Sequence, residues 1–419
     1  MPSRRTFLGA AGLAAVTATS GCAAVSSLAD SLQSHVLHDE APIDTLDGPW
    51  PTHAADPGRT GAVTDERAPP PDARPFELTS IGLYADSQPV VAGARGFLGV
   101  DRREFDGTDD GGEPGEFTGL LALDLAETRP GGRVLWRAPE GGPSTPFTPT
   151  VRGRVVYAPV GNGLKALDAS TGEVYWRTAA GGLTPTVDGE DCVTAAGDGG
   201  VVTLDAATGE TRWRSESTDT SAQGLAVTDD AVCLSCGDGG DGSLWAFERA
   251  DGATRWRYTD IGESYATAVT DGERVYAVST GGRLHAVGLD DAERRWTHSV
   301  TGDSYVQPAV ADGTLFLAGT NSDDVVALDA ATGERLWERT IGIGGVSAPT
   351  VTAESVLVVT GTRDGQRLLV LDRADGEERA RIELTDGLYD AVQPVVADGV
   401  AYVVAEPAME THSFLYAIR

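Results

Sequence analysis

The residues of this chain best suited to chemistry are carboxylates, and one stretch concentrates them. Between Asp101 and Phe117 the sequence is dominated by acidic residues and glycine. Carboxylate oxygens are ligands that Ca²⁺ prefers, but the spacing does not match an EF-hand loop, whose ligands include positions 1, 3, 5 and 12. We interpret the stretch as a solvated loop and leave cation binding there as an open alternative. The carboxylates that could bind such a cation are Asp106, Asp109, Asp110, Glu113 and Glu116.

Other arrangements that could support catalysis or hold a metal are scarce. The six histidines are scattered, and the sequence contains no H-E-x-x-H, G-x-S-x-G or Walker motif. Cys233 and Cys236 form a C-x-x-C motif within a predicted strand, where positions three apart point to opposite faces. We therefore predict no catalytic residue and no metal ligand, and interpret both cysteines as buried small residues.

Charge excludes one class of partner. The net charge is −31, and Lys165 is the only lysine. Nucleic-acid binding requires a basic surface, so we exclude it. An acidic, lysine-poor surface is typical of proteins from salt-saturated cells, where salt screens the repulsion between carboxylates. The chain is thus interpreted as being of haloarchaeal type.

A sequence motif recurs about every 40 residues, and the structure that it forms must position all of these groups. It consists of an apolar pair, a usually acidic residue, a Gly turn and, in its full form, Trp eight residues after the acidic position. This period is typical of four-stranded propeller blades. The acidic position, or its equivalent, falls at 124, 168, 205, 248, 288, 329 and 372.

A second marker raises the number of units to eight. A Gln, Thr or Ala followed by Pro or a small residue precedes each predicted innermost strand, from Gln88-Pro89 to Gln393-Pro394. The last unit lacks a fourth strand, so a segment around 76–78 is expected to supply it and close the ring. We predict an all-β, eight-bladed propeller of four-stranded antiparallel blades, closed by an N-terminal strand.

The recurring tryptophans are predicted to be structural. Each lies on an outer strand and has enough apolar surface to cover the junction with the next blade. These docking residues are Trp136, Trp176, Trp213, Trp256, Trp296 and Trp337. Across adjacent blades, Cys192 and Cys236 could face each other, and we leave that pairing open.

The N-terminus resembles an export signal. Arg4-Arg5 precede a mildly apolar stretch, as in a Tat signal, and small residues precede Cys22, as in a lipobox. We expect a signal peptide over 1–21, a lipidated tether over 22–45 attached through Cys22, and a propeller over 46–419. The protein would then lie on the outer face of the cytoplasmic membrane.

Binding is expected on the face where the innermost strands begin, since loops there converge on the mouth of the central channel. The alternative is that the Gln-Pro pairs only cap strands. The candidate residues are Tyr84, Gln88, Gln223, Tyr265, Tyr305, Gln307, Tyr389 and Gln393.

The phrase at 327–337, ALDAATGERLW, resembles the tryptophan-docking blades of the PQQ-like propeller superfamily, and similar units run through 76–419. The segment Asp56 to Gly61 also resembles the one that precedes such propellers. Two classes share the fold. Quinoprotein dehydrogenases bind pyrroloquinoline quinone (PQQ) and Ca²⁺ in the channel mouth, and BamB-like envelope lipoproteins are scaffolds without a cofactor.

We could assign no cofactor-stacking Trp, metal ligand or catalytic Asp of the dehydrogenases to this sequence. The resemblance therefore favours a non-catalytic, membrane-anchored scaffold without a cofactor, bound to a membrane or envelope protein. A PQQ-dependent dehydrogenase with Ca²⁺ and a small-solute-binding lipoprotein remain alternatives. The sequence does not indicate an oligomeric state.

Overall fold

The computed structural model describes the chain from Thr52 onward with internal gaps. The described ranges are 52–82, 87–105, 115–126, 133–139, 148–160, 163–196, 199–218, 221–237, 242–299, 307–319, 324–342, 345–362, 365–386, 392–407 and 413–419. Within them the chain forms 34 strands and no helix. Because no helix is described, none is long and apolar enough to cross a membrane in this part of the chain.

The strands form eight blades, as the repeat predicted, and in each the innermost strand comes first along the chain. Blades 1 to 4 consist of β3 (Val90–Ala92), β4 (Arg95–Phe105), β5 (Gly115–Asp124) and β6 (Arg133–Pro139); β7 (Thr150–Arg152), β8 (Val155–Val160), β9 (Gly163–Asp168) and β10 (Val174–Thr178); β11 (Thr186–Asp188), β12 (Asp191–Ala195), β13 (Val201–Asp205) and β14 (Thr211–Arg214); β15 (Ala222–Val227), β16 (Ala231–Cys236), β17 (Ser243–Glu248) and β18 (Thr254–Tyr258).

Blades 5 to 7 continue the pattern. They consist of β19 (Val269–Thr270), β20 (Arg274–Val278), β21 (Arg283–Gly288) and β22 (Arg294–Ser299); β23 (Ala309–Ala311), β24 (Thr314–Ala318), β25 (Asp324–Asp329) and β26 (Arg335–Thr340); β28 (Thr350–Thr352), β29 (Ser355–Thr362), β30 (Gly365–Asp372) and β31 (Glu378–Thr385), with the short β27 (Gly345–Val346) paired to β29.

Blade 8 closes the ring. Its first three strands are β32 (Val395–Ala397), β33 (Val400–Ala405) and β34 (Ser413–Ile418), and its fourth is β2 (Pro75–Gly82) from the N-terminal side. β2 runs antiparallel to β34, with Phe76 opposite Ala417. The predicted closing strand around 76–78 is therefore confirmed. The remaining strand, β1 (Ala62–Val63), pairs in parallel with β28 on the channel side of blade 7.

Apolar cores lie between neighbouring blades, and each predicted docking tryptophan reaches into the next blade. Trp176, which is 2% exposed, packs with residues of blades 2 and 3. Its indole N–H donates to Ala206 O at 3.0 Å, and its ring lies against Gly209, whose φ of 74° is left-handed. The other five donate to the same place in the next blade, at Ala169, Arg249, Leu289, Ala330 and Arg373.

One docking turn departs from the others. Five turns carry glycine at the left-handed position, but the turn below Trp256 carries Ala292, with a φ of 58°. The same turn has Gly288 where four other repeats have Asp, whose Oδ1 accepts N–H groups of the turn. The docking turn at the seam between blades 4 and 5 therefore has residues less suited to a left-handed backbone and to accepting the N–H groups of the turn.

The substitution Ala292→Gly is expected to stabilise the protein by about 0.5–1 kcal/mol. Relief of the strained alanine outweighs the greater freedom of glycine in the unfolded chain. Urea unfolding of both proteins measures this difference. Ala331→Gly is the matched control, because Ala331 lies in a docking turn without a left-handed φ, so this change should destabilise. Equal losses in both variants would contradict the argument.

The cysteines lie in three different cores. Cys192 packs between blades 2 and 3, Cys236 between blades 3 and 4, and Cys233 between blades 4 and 5. Cys233 and Cys236 thus face opposite ways, as the strand interpretation predicted. The structure does not bring Cys192 and Cys236 together, because the sheet of blade 3 separates their cores.

The acidic insertion begins and ends in strands. β4 and β5 continue into it as a hairpin that pairs Phe105 with Gly115. Asp106, Asp109, Asp110 and Glu113 lie outside the described residues, as do 1–51 with Cys22. The loop's cation binding and the predicted signal and tether boundaries therefore stay predictions.

Candidate functional site

The central channel contains part of the protein's own chain. Residues 52–63, here called the leading segment, accept hydrogen bonds from the innermost strands of four successive blades. Their donors are N–H groups on the channel side of β15, β19, β23 and β28. The bonds are Val227 N to Pro57 O at 2.7 Å, Thr270 N to Gly58 O at 2.9 Å, Val310 N to Thr60 O at 2.8 Å and Val351 N to Gly61 O at 2.9 Å.

Gly61 shows how closely the segment is packed. Its φ is 65°, and a Cβ there would approach Gln393 Nε2 to 2.9 Å and Ala309 Cβ to 3.1 Å. Glycine is required on both conformational and steric grounds. The segment is therefore fitted to the channel wall rather than loosely placed in it.

Arg59 is the centre of this arrangement. The side chain is 1% exposed, and all of its hydrogen bonds end on neutral oxygens. The acceptors are Leu225 O, Thr52 Oγ1, His53 O, Thr184 O, Pro185 O and Thr186 Oγ1, at 2.7 to 3.4 Å. Burial lowers the pKa of Arg59 to about 10, although the charge of Asp56 opposes that shift. The guanidinium thus joins the leading segment to blades 3 and 4.

Three predicted glutamines fix the same segment from the other side. Gln88 Oε1 accepts from Ala54 N at 3.0 Å, and Gln88 Nε2 donates to Gln393 Oε1 at 3.1 Å. Gln393 Nε2 in turn donates to Pro349 O at 2.7 Å. Gln307 Oε1 lies 3.0 Å from His53 Nε2, while Gln307 Nε2 is buried without a hydrogen-bond partner among the described residues.

The remaining candidates are dispersed. Gln223 is partly buried, and its Nε2 donates to Gly237 O at 2.8 Å. Tyr265 is 44% exposed, and its hydroxyl donates to Glu263 Oε1 at 2.6 Å. Tyr84, Tyr305 and Tyr389 lie outside the described residues. The structure thus brings Gln88, Gln307 and Gln393 together around the leading segment, and binding on this face stays a prediction.

Sequence reasoning missed Arg59 and His53 as parts of the site. The available signal was the run Asp56-Pro57-Gly58-Arg59-Thr60-Gly61. Its Asp, Pro and Gly residues favour turns, and it precedes the regular repeat. Within that run, Asp56 accepts from the backbone and the hydroxyl of Thr60. Burial raises the pKa of Asp56 despite these bonds.

His53 should make stability depend on pH. Burial and then the charge of Arg59 lower its pKa from 6.5 to about 4, although hydrogen bonds with Gln307 and Gln88 oppose the shift. Between these values the unfolded chain binds more protons than the folded one. The contribution of His53 to stability is therefore complete above pH 6.5 and is lost as the pH falls towards 4.

The substitution His53→Gln removes this titration and keeps an amide donor for Gln307. Between pH 7 and 4.5, we expect the variant to lose about 1 kcal/mol less free energy of unfolding than the parent, since solvent near this partly exposed ring weakens the effect. Asp56 titrates in both proteins, so their difference isolates His53. Identical pH profiles would contradict the prediction.

Two cavities lie at the ends of the filled channel. One, of about 160 Å³, lies at the predicted mouth and is lined by His53, Arg59, Thr148, Leu183, Thr184, Gln223, Gly224, Leu225 and Thr267. The other, of about 570 Å³, is lined by Asp56, Asp188, Asp229 and Asp230 with neighbouring backbone and hydroxyl groups. No group of three or more His, Cys, Asp or Glu side chains in the described ranges is arranged to hold a metal ion.

Comparison with known proteins gives one family and many similar folds. The sequence matches the family described as outer membrane protein assembly factor BamB over residues 123–239, 186–308, 240–340 and 321–413. None of the curated proteins matches the chain.

Solved structures of both functional classes are similar in fold to this chain. BamB from Moraxella catarrhalis has a TM-score of 0.58 and 18% identity, covering 82% of this chain and 97% of its own. Quinohemoprotein alcohol dehydrogenase from Comamonas testosteroni has a TM-score of 0.63 and 14% identity, with 88% and 80% covered. A europium-containing methanol dehydrogenase has a TM-score of 0.65 and 13% identity, with 85% and 89% covered. At these identities the similarity establishes the fold alone.

Proposed function

Since the chain belongs to the family described as outer membrane protein assembly factor BamB, we propose that it is a non-catalytic, membrane-anchored, extracytoplasmic propeller that acts as a protein-binding scaffold. The role of BamB itself is not carried over. What is proposed is a rigid disc that presents loops and strand edges to a membrane or envelope protein.

The filled channel is the observation that carries this proposal. A quinoprotein dehydrogenase of the superfamily that the sequence resembles would hold PQQ and Ca²⁺ at the channel mouth. Here the leading segment occupies the channel, and the cavity that the described residues line at the mouth is about 160 Å³. A cavity of about 150 Å³ holds a benzene-sized molecule. The described residues therefore do not fit a fused three-ring quinone. Arg59, Gln88 and Gln393 are already engaged in hydrogen bonds within the protein, whereas Gln307 Nε2 has no partner among the described residues.

The surfaces that remain for a partner are the loops of the mouth face and the outer strands. The edges of outer strands such as β22 and β26 are largely exposed. Exposed strand edges can accept an added peptide strand. A partner bound there would need no change in the channel.

Membrane anchoring is part of the proposal. Lipidation at Cys22 would hold the propeller at the outer face of the cytoplasmic membrane after export directed by Arg4 and Arg5. With Cys22→Ala, the protein should move from the membrane fraction to the soluble extracytoplasmic fraction. Retention of that variant in the membrane would remove the lipid anchor from the proposal.

Crosslinking on intact cells tests the scaffold itself. The full-length protein is crosslinked, captured and analysed by mass spectrometry, and a reproducible membrane or envelope partner is expected. Tyr265→Arg on the mouth face should reduce recovery of the partner at least about tenfold, since a buried interface charge without a partner costs several kcal/mol. Glu210→Arg, at an exposed docking turn, is the control and should retain it. Recovery of the protein alone would contradict a scaffold role.

The dehydrogenase alternative is favoured only by the fold shared with the two alcohol-oxidising enzymes. Its test is titration of the purified protein with PQQ and Ca²⁺, followed by quinone absorbance and by alcohol-dependent reduction of a dye. We expect neither a bound quinone nor turnover. Stoichiometric quinone binding with turnover would replace the scaffold proposal.

A further inference from the structure

The cavity at the channel mouth carries a set of hydroxyl groups. Thr148, Thr184 and Thr267 line it from blades 2, 3 and 5, each just before an innermost strand. Thr148 Oγ1 accepts from Gln88 N at 3.0 Å and keeps its own proton to donate. In the described part of the chain, the hydroxyls of Thr184 and Thr267 make no hydrogen bond. Three donors therefore line one small cavity.

The charge of this cavity is unusual for so acidic a protein. Arg59 forms part of its wall, and its guanidinium donates only to neutral oxygens, so no carboxylate cancels its charge directly. None of the described residues that line the cavity is acidic. Asp56, whose charge acts on Arg59, lines the cavity at the other end of the channel. His53 is neutral at pH 7 because its pKa is lowered to about 4.

The apolar part of the cavity wall and the volume of the cavity limit the chemical class of the ligand further. Leu183, which is partly exposed, supplies hydrocarbon surface to the wall, whereas Leu225 is 1% exposed and packs its side chain into the core between blades 3 and 4. A volume of about 160 Å³ is much larger than a halide ion and matches a molecule of about six heavy atoms, like the benzene held by a cavity of about 150 Å³. One fixed positive charge suits a monoanion better than a phosphate dianion.

We propose that this cavity binds a small monocarboxylate. The carboxylate oxygens accept hydrogen bonds from the hydroxyls of Thr148, Thr184 and Thr267, and the hydrocarbon end contacts Leu183. All N–H groups of Arg59 are used within the protein, so Arg59 attracts the ligand through its charge alone. The carboxylate comes either from a free short-chain acid or from the C-terminus of a polypeptide.

The site goes beyond the proposed scaffold role and does not depend on it. A free acid would bind whether or not the mouth face meets a protein partner. A polypeptide C-terminus would connect the two proposals. Loss of the crosslinked partner and loss of carboxylate binding are measured separately, so failure of one is distinguishable from failure of the other.

Calorimetric titration with butyrate tests the site, with butyramide as the uncharged molecule of the same shape. The full-length protein is used at pH 7 and low chloride. We expect butyrate to bind in the millimolar range and butyramide at least about tenfold more weakly. The double variant Thr184→Val/Thr267→Val keeps the shape and removes two donors, so it should weaken butyrate at least about tenfold. Thr211→Val, on the exposed surface of β14, is the control and should bind as the parent does.

Equal binding of butyrate and butyramide to the parent would overturn the proposal, and so would the absence of butyrate binding. An unaltered affinity for butyrate in the double variant, measured on a variant with the thermal stability of the parent, would overturn it as well. A pentapeptide with a free C-terminus and its amidated form separate the two sources. Tighter binding of the free peptide than of butyrate identifies a polypeptide C-terminus. The opposite order identifies a free short-chain acid.

Discussion

Replacing Arg59 by alanine is expected to lower the free energy of unfolding by at least about 3 kcal/mol. Each hydrogen bond from a charged donor contributes about 1.5 kcal/mol or more, and the acceptors left behind would be buried without partners. Thr184 O and Pro185 O lie on blade 3 and Leu225 O on blade 4, so the loss would separate the leading segment from both. Urea unfolding followed by tryptophan fluorescence measures the change.

Two further variants make the Arg59 result specific. Arg59→Lys keeps a positive charge but not the planar set of donors, so its loss should be intermediate. Arg294→Ala removes an arginine whose side chain is 51% exposed and pairs with the 75% exposed Asp260, and it should cost no more than about 0.5 kcal/mol.

Amide hydrogen exchange gives a second readout. Val227 and Thr270 donate to the leading segment, and their N–H groups should exchange faster in Arg59→Ala than in the parent. Unchanged exchange together with unchanged stability would mean that Arg59 does not hold the segment in place.

Replacing Trp176 by alanine is expected to cost about 3–5 kcal/mol, the usual range for removing a large aromatic side chain from a core. Trp176 is 2% exposed, fills the seam between blades 2 and 3, and donates to Ala206 O. Its removal leaves both a cavity and a carbonyl without its donor. The free energy of unfolding from urea denaturation is again the measurement.

Trp256 provides the internal comparison for this effect. It donates to Leu289 O, but it is only partly buried and lies over the turn that carries Ala292 instead of glycine. Trp256→Ala should therefore cost at least about 1 kcal/mol less than Trp176→Ala. Equal losses would show that seam quality does not depend on the docking turn.

The regular part of this fold was predictable because it repeats. Each blade borrows its core from its neighbours, so the same spacing of apolar pair, turn glycine and tryptophan had to recur, and Trp176 and Trp337 could be assigned one role from one pattern. The missing fourth strand of blade 8 followed from the same regularity. A ring with one vacant strand position requires a segment elsewhere to fill it, and β2 does so.

The filled channel was not predictable in the same way. The leading segment has no period, and its contacts are very distant in sequence: Gln88 meets Gln393, and His53 meets Gln307. The repeated glutamines at the starts of innermost strands predicted a polar region there, and Gln88, Gln307 and Gln393 lie around the leading segment. Whether their amides would face solvent or another piece of the chain depended on the non-repeating segment, which the pattern of the blades does not specify.

The path of the leading segment also determines how the domain would bear a load. A pull on the chain ahead of Thr52 meets first the guanidinium of Arg59 and the backbone bonds to β15, β19, β23 and β28, and only afterwards β2. Force is thus divided among several blades near the axis before it can peel the strand that closes the ring. A tether attached ahead of Thr52 would therefore pull on hydrogen bonds around the channel axis rather than on the outer strand β2.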